Sequence, residues 1–101
     1  MTVRTTLTRT PGPTEADLKN ELLNELKSPK AVGEPDVIIH GAAPAGVHLF
    51  VIWSKWAGLE QVVRSRIILD AYEEWKGEQE ALQVTVSMGL MPEEAKTMGI
   101  S

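Results

Sequence analysis

The chain has 101 residues, no cysteine, a formal charge of -4 and a pI near 5.1. That length fits a single domain with a working core, and the lack of cysteine excludes disulfide frameworks, thiolate nucleophiles and cysteine-held metal or iron-sulfur centres. The acidic balance removes the positive field that drives phosphate-backbone binding, so nucleic acid is not the expected partner.

Residues 1–13, MTVRTTLTRTPGP, place Arg4 and Arg9 among threonines and end in Pro-Gly-Pro. They read as a flexible N-terminal arm ahead of one domain over residues 14–101, although Val3, Thr5 and Leu7 also alternate as a short edge strand would. Thr14 with Asp17 resembles a capping box, and Leu18, Leu22, Leu23 and Leu26 recur at helical spacing. A helix is predicted from Glu15 to Lys27, acidic at its start, basic at its end and stopped by Pro29.

Asp36 to His40 is a β-branched strand, GAAPAG at 41–46 is a turn, and His48 to Ser54 is a second strand. The second strand is apolar on both faces, Phe50 and Ile52 on one and Leu49, Val51 and Trp53 on the other. From Leu59 to Gly77 a long helix carries Leu59, Val62, Val63, Ile67, Ala71 and Trp75 as its apolar stripe, with a bend near Arg64 as an option. Leu82 to Met88 alternates as a third strand, with Leu82, Val84, Val86 and Met88 inward and Gln83, Thr85 and Ser87 outward. Pro92, Glu93 and Glu94 open a last short helix closed by Gly99. A strand, a helix and a further strand imply a right-handed parallel crossover, and the first two strands a hairpin. The expected fold is α+β, a three-stranded mixed sheet with helices on one face in the order α-β-β-α-(α)-β-α. The face bearing Leu49, Val51 and Trp53 then needs a cover, and a second copy of the chain is one.

No serine-histidine-acid or paired-carboxylate arrangement is recognisable, so no catalytic residue is assigned, no cofactor is expected and the chain reads as a non-enzyme. His40 and His48 flank the turn and are the weak candidates for a metal or proton-transfer pair, weighed against solvated or packed histidines. The glycines around that turn match neither phosphate-binding spacing. Arg64 and Arg66 sit about 200° apart around a helix, each with an acid four residues away, Glu60 and Asp70. No apolar run approaches the roughly 20 residues of a membrane span. The arm has no apolar export segment, so the cytosol is the expected location.

The stretch VIWSKWAGLEQVVRSRIILDAY, residues 51–72, resembles the BolA-like family. Ser54, Trp56, Gly58, Arg64 and Arg66 carry the match, and MPEEA at 91–95 resembles the start of that family's last helix. The resemblance implies a fold similar to the class II KH arrangement. Two features depart from it. Ser65 stands where the family's motif has histidine, and Gln83, Val84 and Thr85 occupy the region of its cluster-holding histidine. There is no GxxG loop either. These residues point to a small interaction or regulatory domain that binds a protein partner or forms a homodimer, with Leu49, Val51, Trp53, Arg64 and Arg66 as interaction residues. The alternatives are a metal- or iron-sulfur-related domain using His40 and His48, and nucleic-acid binding through Arg4, Arg9, Lys55 and Arg64.

Overall fold

A computed structural model describes residues 15–30, 32–42 and 46–100. The N-terminal arm and Thr14 lie outside the described residues. The elements run α1 (Glu15–Lys27), β1 (Asp36–Ala42), β2 (Gly46–Ile52), a 3₁₀ turn (Ser54–Trp56), α2 (Gln61–Lys76), α3 (Glu78–Ala81), β3 (Val84–Leu90) and α4 (Pro92–Met98). They form the expected α+β fold: a mixed sheet in the order β1-β2-β3, antiparallel between β1 and β2 and parallel between β2 and β3. α2 is unbroken through Arg64, and Gly77, at φ +96°, separates it from α3.

The main core lies between α1, α2 and one sheet face. Leu18, Leu22 and Leu26 of α1 and Ile67, Ile68, Ala71 and Tyr72 of α2 pack on Val47, Leu49, Val51, Trp53 and Trp56. Leu49, Val51 and Trp53 are at most 2% exposed. The face expected to need a second copy as its cover is therefore closed by the chain's own helices. Alternation alone could not reveal this, because β2 is apolar on both sides.

Two further expectations are corrected. Val62 is 66% exposed and lies off the α2 stripe, whose buried side instead includes Arg64, Ile68 and Tyr72. β3 begins at Val84 rather than Leu82, which is 70% exposed. Its pairing with β2 is irregular between Val47 and His48, since Val47 partners Val84 while His48 partners Val86. The extra residue, Thr85, reverses the alternation. Val84 packs on the main core, whereas Val86 and Met88 share a face with His48 and Phe50, and Ser87 turns toward α2.

That second face carries its own smaller cluster, in which Ile52, Leu90 and Ala95 of α4 are buried, with Ile38, Phe50, Met88 and Ile100 against them. α2 and the 3₁₀ turn crowd β3 at Gly89, where a Cβ would lie 2.8 Å from both Arg64 Cβ and Trp56 Nε1. Both neighbours are themselves buried and hydrogen-bonded. Gly89→Ala is expected to lower unfolding stability by about 1–3 kcal/mol through overpacking, measured by urea denaturation, whereas alanine at the exposed Val62 leaves the midpoint nearly unchanged.

Candidate functional site

Three groups of residues were expected to carry function: the strand-two patch, the arginine pair and the histidine pair. The patch is core, as described. Arg64 is buried and bonded on two of its nitrogens: its Nε donates to Leu59 O at 2.8 Å, and its Nη1 donates to Gly89 O at 3.1 Å and to Glu94 Oε1 at 3.0 Å. It ties the loop before α2 to the end of β3 and the start of α4. The Glu94 carboxylate also accepts the Met91 backbone N–H at 2.7 Å, and this bond followed by Arg64 holds its pKa below the usual carboxylate value. The partner of Arg64 is thus Glu94, thirty residues on, rather than the local Glu60.

Arg66 points to solvent and is bonded to Glu15 of α1 at 2.7 Å, while Asp70 adds only a through-space attraction. Lys55 pairs with Glu21 at 2.9 Å and lies 5.8 Å from the Trp53 ring. Arg64, Arg66 and Lys55 thus each lie beside a carboxylate, Arg64 buried and the other two at the surface. Arg4 and Arg9 lie outside the described residues.

The remaining family-like positions also have structural work. Ser54 donates its backbone N–H and its hydroxyl to Glu34 Oε1, at 2.9 and 2.7 Å, which lowers the Glu34 pKa. Trp56 is fully buried and donates its indole N–H to Val51 O at 2.9 Å, edge-on to Trp53. Gly58 adopts φ +83°, which a side chain would oppose. Ser65, in place of the motif histidine, donates to Ser87 O, and the Ser87 hydroxyl donates back to Ser65 O at 3.1 Å.

His40 and His48 are register partners across the β1–β2 hairpin, both exposed on the face opposite α1 and α2. Each ring meets Phe50 edge-on, at 5.9 Å for His40 and 6.4 Å for His48. No group of three or more metal-ligating side chains occurs among the described residues. Around the histidines, Ile38, Phe50, Val86 and Met88 are half-buried. The face continues into a shallow groove of about 440 Å³ between β3 and α4, lined by Met88, Leu90, Thr97 and Met98. This flat apolar surface with two imidazoles is the candidate site. Sequence reading missed it because β2's two faces were assigned to the wrong neighbours; the signal was present in Phe50, two residues beyond His48 on the same strand face.

A second concavity, of about 410 Å³, lies on the helix side beside β1, walled by Leu26, Val37, Ile39 and Trp75 with Lys30 and Asp36 at its rim. Lys30 closes the end of α1 by donating its backbone N–H to Glu25 Oε2 at 3.1 Å and its ammonium to Glu25 Oε1. These bonds lower the Glu25 pKa, the side-chain bond most.

No helix among the described residues is long and apolar enough to cross a membrane. Glu25, Glu34 and Glu94 all have depressed pKa values in the fold, so each adds stability above the ordinary carboxylate pKa that is lost as pH falls through its lowered value. Glu94→Gln is expected to flatten part of the acid limb of the stability–pH curve, measured by thermal melts from neutral to low pH.

No family model, curated protein or solved structure matches the chain.

Proposed function

We propose that the chain is a non-enzymatic interaction domain that binds a protein partner through the sheet face bearing Ile38, His40, His48, Phe50, Val86 and Met88. One observation carries this reading: among the described residues α1 and α2 complete the core on one side of the sheet, while on the other α4 centres a small cluster at Ile52 and Leu90 against which Ile38, Phe50 and Met88 are only partly buried. The rest of that face keeps a half-buried phenylalanine, methionine and branched residues beside solvent. An apolar surface rimmed by polar groups suits a protein surface better than a highly charged ligand. The BolA-like relationship is part of the proposal and is supported by the order of elements and by Ser54, Trp56, Gly58, Arg64 and Arg66. Cluster sharing is not included, because Ser65 spends its hydroxyl on β3 and no imidazole stands there.

The nucleic-acid reading loses support from the ion pairs of Arg64, Arg66 and Lys55. The metal reading keeps one specific observation, the direct cross-strand placement of His40 opposite His48. Two imidazoles leave the remaining positions of a tetrahedral ion to water or to a partner, so affinity is weak.

Two outcomes follow. His48→Asp places a charge on an exposed position of the face; proteins retained by the immobilised full chain are expected to be lost with this variant while its circular dichroism is unchanged, and undiminished retention overturns the assignment of the face. Zinc titrated into the full chain is expected to shift the His40 and His48 ring resonances together only at an excess of metal; stoichiometric saturation at micromolar concentration would favour the metal reading instead.

A further inference from the structure

The two edges of the sheet are treated differently. On β3, the backbone groups of Gly89 and the carbonyl of Ser87 are occupied from α2: Gln61 donates its amide to Gly89 O and accepts from Gly89 N, both at 2.8 Å, and one turn on Ser65 donates to Ser87 O. These side chains stand where a neighbouring strand would bond and close that edge. Among the described residues no such side-chain cover occurs on β1, and β2 is the one described element that it packs against extensively. Its Ile39 is 44% exposed, at the mouth of the cleft walled by Leu26, Val37 and Trp75.

We infer that β1 is a homodimerisation edge, with two copies pairing β1 to β1 antiparallel about a two-fold axis at Ile39 to give a continuous six-stranded sheet. This deepens the proposed interaction role by adding a second surface and a stated partner, another copy of this chain.

The strand's own sequence, DVIIHGA, favours a copy of itself. In this register Ile39 lies beside Ile39 of the second copy on the helix side, where the two clefts meet and both exposed isoleucines leave water. Val37 falls opposite Gly41 of the second copy, bulk against space, at both symmetry-related positions. On the other face Ile38 falls opposite His40 of the second copy, so the histidines are not directly opposed. The strand's only acid, Asp36, falls opposite Ala42 of the second copy, and the two aspartates end about 20 Å apart at opposite ends of the paired strands. No like charges are therefore directly opposed. Because β3 is closed by Gln61 and Ser65, pairing at β1 ends at two copies rather than propagating.

The test is light scattering coupled to size exclusion on the full chain and its Ile39→Lys variant, over a range of concentrations. The full chain is expected to approach twice 11.1 kDa as concentration rises, and Ile39→Lys, at an exposed edge position, to stay folded by circular dichroism with dimer affinity reduced at least tenfold. A full chain monomeric at high micromolar concentration overturns the inference, as does a variant that still dimerises. Hydrogen exchange on the unmutated chain gives an independent reading: protection of those amides in residues 37–41 that point away from β2 should rise with concentration. Protection of those outward amides that is independent of concentration in a monomer assigns the edge to another segment of the same chain and also overturns it. The sheet-face reading fails separately, since Ile39→Lys leaves His48 and its surroundings intact and should retain the same captured proteins as the unmutated chain.

Discussion

The close approach of α2 to β3 is the contact on which the rest of the architecture depends. It is possible because Gly89 has no side chain, which lets Arg64 and Trp56 come against the strand backbone. At that distance the side chains of Gln61 and Arg64 reach the Gly89 peptide, and Ser65 and Ser87 exchange hydrogen bonds one turn away. In this partly buried polar seam donors meet acceptors, and the buried Arg64 would be strongly unfavourable there without its partners. The seam fixes the height of α2 above the sheet, brings Trp56 under it, and through Arg64 and Glu94 sets where α4 begins.

Around that seam the packing is conventional. α1 lies beside α2 with its leucines inward, and the ion pairs between the two helices, Lys19 with Glu74 and Arg66 with Glu15, sit at the surface where solvent screens them. Those pairs help to set helix alignment more than they add stability. The sheet is thus finished on one side and only partly on the other, and this inequality, rather than any cluster of reactive groups, is what points toward binding.

Element identity was legible in the sequence to a large extent, and facing was not. The span of α1 follows from its leucine spacing and charge asymmetry, and the parallel crossover from the length of the segment between β2 and β3. The strand limits slipped by about two residues at β1, β2 and β3, because Gly41 and Gly46 resemble turn residues and Leu82 an inward strand residue. Which face of β2 meets the helices could not be read from a strand that is apolar throughout, and Thr85 then reversed the pattern along β3. Arg64 looked like a surface cation paired with Glu60 because its true partners, Gly89 and Glu94, are adjacent only in the folded chain. The histidine pair was visible as a hairpin feature, while its neighbourhood of Phe50, Val86 and Met88 needed the register.

The arrangement of strands also orders the events of folding. β1 and β2 are neighbours in sequence and can pair early, and α1 needs only local bonds to begin. β3 reaches β2 across the whole of α2 and α3, so every contact it makes closes a long loop before it yields any stabilisation. The hairpin alone leaves both of its edges open, and the seam at Gly89 ties the strand that closes one of them to α2 and, through Arg64, to α4.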